Sequence, residues 1–211
     1  MSGYVGINLR DILSDEKLGE KVTKELLSSF SYPLNLDVEY FLRHTAIEFS
    51  RQGLASTYLI MASYQKSYVL AGYFTLANKF LLLSKTSLPN RKWRSRMSKF
   101  GHFDPTVQRY TLSAPLIGQL GKNYTNSYDK LITGDELLKL ALDKVQEMQY
   151  IAGGKIVYLE CEQKEKLISF YERNGFVNFG TRVLDKEETK KCLVNPLYKC
   201  CYICNNITIL A

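Results

Sequence analysis

The chain has 211 residues, of which 45% are hydrophobic and 23% are charged, so it is long enough and apolar enough to bury a full globular core. No segment approaches the roughly 20 consecutive apolar residues of a membrane span, and the N-terminal residues lack the pattern of a signal peptide. We therefore expect a cytoplasmic protein without a membrane partner. The formal net charge of +7 favours anionic partners, and phosphate cofactors and RNA both fit it.

The first third of the sequence predicts two helices and a β-hairpin. In the first helix, apolar residues recur at helical spacing and Pro33 follows the end. The predicted buried face consists of Leu18, Val22, Leu26 and Phe30. A second helix is predicted from Asp37 to its stop at Gly53. The segments that begin at Thr57 and Ser67 are rich in aromatic and β-branched residues and predict two paired strands.

Residues 85–109 are strongly basic, and we interpret them as a basic insertion or loop. They carry a single acid, Asp104, against seven basic residues: Lys85, Arg91, Lys92, Arg94, Arg96, Lys99 and Arg109. Within RKWRSRMSKF the aromatic residues Trp93 and Phe100 alternate with this charge, which favours RNA binding. A solvated basic loop explains the same composition equally well.

The next predicted elements are an irregular strand and a long helix. The strand starts at Tyr110, and because Pro115 lacks an N–H and Gly118 has no side chain, we expect it to be bulged or partly unpaired. Thr133 and Glu136 form a capping box at the start of the long helix. Its predicted buried stripe consists of Leu137, Leu138, Ala141, Val145 and Met148.

A strand, a short helix and another strand follow. KIVYLECE predicts a buried strand, the helix after it ends at Gly175, and FVNFGTRVL predicts the next strand. The order strand, helix, strand, helix, strand favours a mixed α/β sheet with parallel pairing.

This succession of elements, which ends in FYERNGF, resembles the core of the GCN5-related N-acetyltransferases (GNAT) over residues 110–184. The resemblance implies one acetyltransferase-like domain over residues 1–211, with residues 85–109 as an insertion. It also implies an α+β fold, in which a mixed, mostly antiparallel sheet with a central splayed parallel strand pair is flanked by helices. LIGQLGKN is similar to the acetyltransferases of toxin–antitoxin systems and to uncharacterised Gram-positive relatives.

The resemblance implies a binding site for acetyl-CoA as cosubstrate. The pantetheine arm would bond as a substitute strand to the backbone of Leu120, Gly121 and Lys122. The pyrophosphate would lie at the start of the long helix, where unpaired N–H groups and the helix dipole favour anions. The implied amides are those of Leu131, Ile132, Thr133 and Gly134, with Lys130 and Lys122 offsetting nearby acids.

The phosphate loop departs from the family pattern, which is Gln or Arg, two residues, Gly, one residue, and Gly or Ala. Asp129 and Ile132 stand at the first two defined positions, and only Gly134 matches the last. Asp135 and Glu136 lie in the first helical turn, where they stabilise the helix but repel phosphate.

The resemblance also implies the catalytic residues. The family tyrosine corresponds to Tyr171, which would donate a proton to the thiolate of departing CoA. The residues alone fit equally a half-buried tyrosine with its hydroxyl in water. Glu160 is the predicted general base, although Glu160 and Glu162, on the same side of their strand, also fit a solvated strand end.

The remaining metal-binding and nucleophilic residue types form no site in the sequence. His44 and His102 are isolated, and Cys161 is predicted to lie in the core of its strand. The other cysteines contain one C-x-x-C pair without a partner pair, so we expect no metal. They are Cys192, Cys200, Cys201 and Cys204.

The function predicted from these residues and from the resemblance is that of a transferase. It is an acetyl-CoA-dependent N-acetyltransferase in which the amine attacks the thioester directly. A toxin-type enzyme that acts on aminoacyl-tRNA would use the charge of Arg91, Lys92, Arg94 and Arg96. An antitoxin-like protein partner and a homodimer are further expectations. Two alternatives stay open: a non-catalytic acetyl-CoA- or RNA-binding protein on a degenerate GNAT fold, and an interaction protein whose site a partner masks.

Overall fold

The computed structural model of the protein describes residues 3–15, 19–183 and 198–205. Its contacts divide the chain into two compact units. Unit 1 contains Met1–Ala77 and Gly118–Ala141, and unit 2 contains Asn78–Ile117 and Leu142–Ala211. The prediction of a single domain over the whole chain stays a prediction.

Helices and strands alternate along the described residues. In chain order they are β1 (Tyr4–Asn8), α1 (Leu9–Ser14), α2 (Gly19–Ser28), α3 (Leu36–Tyr40), a π-helical turn (Phe41–Thr45), α4 (Ala46–Gln52), β2 (Ser56–Tyr64), β3 (Ser67–Ser84), α5 (Arg91–Phe100), β4 (His102–Asp104), β5 (Arg109–Lys122), a 3-10 turn (Thr125–Lys130), α6 (Gly134–Ala152), β6 (Ile156–Glu162), α7 (Glu165–Arg173), β7 (Val177–Val183) and β8 (Tyr198–Asn205). Three of them, β3, β5 and α6, continue from one unit into the other.

The strands form a mixed sheet in the order β1-β2-β3-β5-β6-β8-β7, with β4 paired to β5. The pairs β1–β2, β2–β3, β4–β5, β6–β8 and β7–β8 are antiparallel. β5 and β6 are parallel, and their register consists of Leu116 opposite Tyr158 and Ile117 opposite Leu159. The register ends there, although β5 continues to Lys122 and β6 to Glu162. The predicted parallel pair is thus present, and it is short.

Unit 1 confirms the predicted hairpin and corrects one helical face. The two-residue turn between β2 and β3 consists of Gln65 and Lys66, both with positive φ, as a type I′ hairpin requires. On α2 the predicted face is wrong at Val22, which is 43% exposed, while Thr23 and Leu27 are buried. The hydroxyl of Thr23 donates to the carbonyl of Gly19 at 2.7 Å, so a polar residue takes the buried position that the apolar pattern assigns to Val22.

The predicted second helix is present with an irregular centre. The π-helical turn separates α3 from α4, and Gly53 ends α4 in the left-handed conformation. The buried residues Val38, Leu42, Ala46 and Ser50 follow one another at intervals of four along this helix.

Unit 2 contains the basic segment, which is folded rather than a loop. Asn90 caps α5 by accepting a hydrogen bond from the amide of Trp93. Met97 is fully buried, and Trp93 packs against the same core cluster, which also contains Leu81, Leu83 and Tyr110. α5 and β4 thus build part of the unit, so the expectation of a loop is wrong for these elements, while the expectation of an insertion over residues 85–109 stays a prediction.

Several expectations concern what the described chain lacks. None of the described helices combines the length and apolarity needed to cross a bilayer. Within residues 3–15, 19–183 and 198–205, no three His, Cys, Asp or Glu residues are grouped as a metal site would need.

The predicted C-terminal strand is present as β8, but Cys192 lies outside the described residues.

Candidate functional site

The end of β5 in unit 1 is packed too tightly for a side chain at Gly121. A Cβ there would lie 2.6 Å from a methyl group of Val38 and 3.3 Å from the ring of Phe30. On the neighbouring strand, a Cβ at Gly72 would lie 2.9 Å from the carbonyl oxygen of Gly121. Close packing of β5 against β3 and the helices therefore requires glycine here. This explanation does not depend on a ligand.

The loop after β5 is fixed by Asn123, which is fully buried. Its Nδ2 donates to the carbonyl of Leu70 (2.8 Å), and its Oδ1 accepts from the amides of Ser31 (3.0 Å) and Thr125 (3.1 Å). Lys122 adds a hydrogen bond from Nζ to the carbonyl of Asp129 at 2.9 Å. Two other segments of unit 1, at Ser31 and at Leu70 on β3, thus hold the loop that leads into α6, and the bonds to Thr125 and Asp129 lie within the loop.

The first turn of α6 is closed by the predicted capping box. Thr133 Oγ1 accepts from the amide of Glu136 at 3.1 Å, and a carboxylate oxygen of Glu136 accepts from the amide of Thr133 at 2.8 Å. The amide of Leu131 donates to the carbonyl of Tyr128 at 3.0 Å. Two of the four amides predicted for phosphate therefore already donate within the chain, whereas those of Ile132 and Gly134 appear in no such bond among the described residues.

Glu136 carries a stabilised negative charge at this helix end. The hydrogen bond from the Thr133 amide, and then that from the Thr133 hydroxyl, lower the pKa of Glu136 below its ordinary 4.5. The Tyr4 hydroxyl donates to the carbonyl of Leu131 at 3.0 Å. Burial, followed by the charge of Glu136, raises the pKa of Tyr4 above its ordinary value, so Tyr4 stays a neutral donor beside this carboxylate.

Tyr171 lies in unit 2 near the end of α7, and that end is closed by a Schellman motif. The amide of Phe176 donates to the carbonyl of Tyr171 and the amide of Gly175 donates to that of Glu172, both at 3.0 Å. The positive φ of Gly175, 82°, is the conformation that this motif needs. The sequence therefore predicts this helix end correctly.

The ring of Tyr171 is held by two aromatic neighbours. Its centroid lies 4.9 Å from that of Phe170 and 5.7 Å from that of Phe176, in edge-to-face arrangements. Tyr171 is 8% exposed. Both contacts involve the ring, so they restrain the phenol without using its hydroxyl. Its predicted role as the acid nevertheless stays a prediction.

Glu160 and Glu162 alternate with buried apolar residues on β6, also in unit 2. Glu160 is half-buried. Glu162 is buried and forms an ion pair with the more exposed Lys164. The role of Glu160 as the general base stays a prediction.

The basic helix α5 presents most of its charge to solvent. Arg91, Lys92 and Lys99 are exposed, while Arg94 and Arg96 are half-buried. The guanidinium of Arg96 lies 5.5 Å from the centre of the Trp93 ring. The cations of this helix are thus largely open to solvent, whereas its aromatic ring packs against the core of the unit.

The structure distributes the predicted residues over the two units. Leu120, Gly121, Lys122 and residues 130–134 belong to unit 1, whereas Tyr171, Glu160 and α5 belong to unit 2. Sequence reasoning assigned no role to Asn123 or Tyr4. Asn123, directly after a strand and two residues before Thr125, has the sequence signal of an Asx turn. No local pattern predicts the Tyr4 contact, which spans 127 positions.

No family model and no curated protein matches the sequence. Solved structures do match its fold. AtaT complexed with acetyl-methionyl-tRNAfMet has a TM-score of 0.59 at 15% identity, covering 93% of both chains. A tyrosine-to-phenylalanine mutant of KacT has a TM-score of 0.58 at 15% identity, covering 94% of this chain and 95% of that one. AtaTR bound with acetyl-CoA has a TM-score of 0.53 at 16% identity, covering 95% and 94%.

At such identities these likenesses show the fold alone. The protein has a GNAT-type α+β fold with a mostly antiparallel sheet flanked by helices, as the sequence predicts. The placement among Gram-positive relatives stays a prediction.

Proposed function

We propose that this protein is an acetyl-CoA-dependent N-acetyltransferase whose acceptor is the amine of an aminoacyl-tRNA. The observation that carries the proposal is Tyr171, held by a Schellman motif and two aromatic rings at the end of α7 in a GNAT-type fold. AtaT and KacT, which share the fold, have both been solved as tyrosine-to-phenylalanine mutants.

The proposed reaction is direct transfer. The acceptor nitrogen attacks the thioester carbonyl carbon, the C–N bond forms, and the C–S bond breaks with its electron pair on sulfur. The Tyr171 hydroxyl donates its proton to that thiolate, and the Glu160 carboxylate takes the proton that the nitrogen loses. Proton exchange with water restores both side chains, and the products are the N-acetylated acceptor and CoA.

Acetyl-CoA binding is proposed for two parts of unit 1. The pantetheine arm bonds to the backbone of Leu120–Lys122, beyond the end of the parallel register at Ile117. The pyrophosphate binds at the start of α6, where the amides of Ile132 and Gly134 are the first available donors. For the Thr133 amide to contribute, the Glu136 carboxylate has to leave it.

The acceptor is proposed from the charge of α5. Arg91, Lys92, Arg94 and Arg96 supply more positive charge than acetyl-CoA needs, and an aminoacyl-tRNA presents its amine beside a run of phosphates. AtaT, of the same fold, was solved with acetyl-methionyl-tRNAfMet. A mutant AtaT toxin was solved with acetyl-CoA and the C-terminus of the antitoxin AtaR. By analogy, a protein partner that masks the site is part of the proposal, as is action in the cytoplasm.

The test is an incubation of the purified protein with isotope-labelled acetyl-CoA and total aminoacylated tRNA. The acetylated aminoacyl group is then identified by mass spectrometry after release from the tRNA. Deacylated tRNA and free amino acids are the matched controls. Label on the aminoacyl amine alone supports the proposal. Label on free amino acids at the same rate would contradict the tRNA acceptor, and label on nothing would contradict transfer to this acceptor class.

A second candidate is a non-catalytic protein on the same fold. The capping box favours it, because Glu136 occupies the Thr133 amide and places a negative charge where phosphate would bind. A thermal shift separates the two, since a bound ligand raises Tm by mass action. An unchanged Tm with millimolar acetyl-CoA favours a bare scaffold or an RNA-binding protein over an enzyme.

A further inference from the structure

A cleft of about 370 Å³ lies within unit 2, outside every residue assigned above to acetyl-CoA or to catalysis. It is bordered by the C-terminal end of α5, by β5, and by the segment that joins α6 to β6. Its volume is in the range of pockets that hold small organic groups.

The lining of the cleft is apolar at its base and cationic at its rim. Leu112, Pro115, Met148 and Ile156 supply apolar surface. Phe100 also lines the cleft and is 38% exposed, so an aromatic face is accessible from solvent. Two lysines, Lys99 and Lys155, complete the rim, and the described lining contains no acid.

The uncharged polar side chains of the lining form hydrogen bonds within the protein. Ser113 and Asn78 are hydrogen-bonded to each other at 2.9 Å, and the Gln149 side-chain amide donates to the carbonyl of Ile156 at 3.0 Å. α6 ends at Ala152, and the last carbonyls of a helix lack intrahelical partners. The carbonyl of Gln149 accepts from the amide of Gly153 at 2.9 Å, and the carbonyls after it can accept from N–H donors such as the exocyclic amine of a base.

The cleft is continuous with the charge of α5. Lys92, Arg96 and Lys99 are spaced by four and three residues and so share one helical face, which spans about 10 Å. A strand of phosphates that follows this face reaches the rim of the cleft at Lys99. An aromatic platform at the end of a cationic track is how proteins bind single-stranded nucleic acid.

From this juxtaposition we propose that the cleft binds one unpaired nucleotide of an RNA, with the base against Phe100 and its phosphates at Lys99 and Lys155. RNA is favoured over an acidic peptide because peptide carboxylates would not use the apolar base of the cleft. The inference rests on the RNA half of the proposed function and is independent of acetyl transfer.

The test measures binding of the full chain to a fluorescein-labelled single-stranded RNA of eight to ten nucleotides, by anisotropy and without acetyl-CoA. Phe100→Ala removes the platform and should weaken binding about 5- to 100-fold. Phe100→Leu keeps apolar volume without the π face, and we expect a loss of the same sign. Tyr68→Ala removes an exposed aromatic that does not line the cleft and should leave affinity unchanged.

A second set of measurements separates the contribution of the base to RNA affinity from that of the phosphates. Lys99→Gln should lower the salt slope, d log K/d log[salt], by about 0.7, whereas Lys21→Gln on α2 should not change it. A duplex of the same sequence offers no unpaired base, so its affinity should be insensitive to Phe100→Ala. Equal losses for duplex and single strand would overturn the proposal.

Two other results would also overturn it. Displacement of the labelled RNA by AMP at the same nucleotide concentration would assign the cleft to a free nucleotide. Absence of RNA binding, together with a Tm rise on addition of acetyl-CoA, would overturn the RNA assignment and leave acetyl-CoA binding standing, so the two failures are distinguishable. A Tm equal to that of the parent for Phe100→Ala and for Phe100→Leu would establish that both variants fold.

Discussion

The capping carboxylate of Glu136 provides a sharp test of where acetyl-CoA binds. Glu136→Gln removes the negative charge and keeps a side-chain oxygen that can accept from the Thr133 amide. If the pyrophosphate binds at the start of α6, the variant should bind acetyl-CoA more tightly than the parent. The same change should alter stability little, because the box is preserved.

The expected gain follows from Coulomb's law. Two unit charges about 6 Å apart interact by ~0.7 kcal/mol in a water-like dielectric, so a pyrophosphate with two charges repels the carboxylate by ~1.4 kcal/mol. At low salt the Kd should therefore fall about tenfold. At physiological ionic strength, where the Debye length is about 8 Å, screening halves the energy and leaves a gain of about 3-fold.

The assay is calorimetric titration of acetyl-CoA at low and at physiological salt. Glu147→Gln, which removes an exposed carboxylate near the other end of the same helix, is the matched control and should not change affinity. An unchanged Kd for Glu136→Gln at both salt concentrations would show that the pyrophosphate does not bind at this helix end.

The pH dependence of stability provides an internal check on the same carboxylate. The folded state lowers the pKa of Glu136 below its ordinary 4.5. The stabilisation by the ionised cap is therefore fully present above about pH 4.5 and is lost as the pH falls through the lower, folded-state value. The Tm difference between parent and Glu136→Ala should be constant near neutral pH and should shrink below pH 4.5.

Four further predictions concern catalysis, the acetyl-CoA site, the loop and the acceptor. Tyr171→Phe keeps both ring contacts, so kcat should fall about 10²-fold with little change in Tm, and unchanged turnover at saturating acetyl-CoA would exclude Tyr171 as the acid. Gly134→Pro suits a first helical position but deletes an amide, so calorimetry should show weaker acetyl-CoA binding at nearly constant Tm; equal affinity would remove this amide from the site. Asn123→Ala leaves buried backbone groups unpaired and should cost ~3 kcal/mol of unfolding free energy in urea titrations, and a loss below ~1 kcal/mol would contradict the role of Asn123 in fixing the loop. Replacing Arg91, Lys92, Arg94 and Arg96 with glutamine should raise KM for the acceptor and reduce its salt slope by up to about 3, and a parental slope would make a small amine or peptide the better acceptor.

Local sequence signals predict the elements whose geometry is itself local. The β2–β3 hairpin, the Thr133–Glu136 box and the Gly175 helix end each depend on a few neighbouring residues, and all three are present. Periodicity fails at Val22, because the buried residue beside it is Thr23, whose polar side chain the apolar pattern does not count and whose hydroxyl bonds to the carbonyl of Gly19. Periodicity also fails to predict α5, because only Trp93 and Met97 of this helix pack against the core and most of its other residues are charged.

The candidate site is less predictable than the fold because its constraints come from distant positions. Asn123 accepts from Ser31, 92 positions away, and Tyr4 donates to Leu131. The reason for glycine at position 121 is contact with Val38 and Phe30 rather than local conformation. No window of the sequence contains both partners of such contacts.

The proposed function depends above all on transfer of the acetyl group of acetyl-CoA to an amine, with Tyr171 as the acid. The most direct measurement is mass spectrometry of a cell extract incubated with isotope-labelled acetyl-CoA and the purified protein, with Tyr171→Phe in a parallel sample. The proposed function predicts labelled N-acetyl groups on aminoacyl-tRNA that depend on the protein and whose rate of formation decreases about 10²-fold with the variant. Equal labelling with and without the protein, or with the parent and Tyr171→Phe, would contradict it.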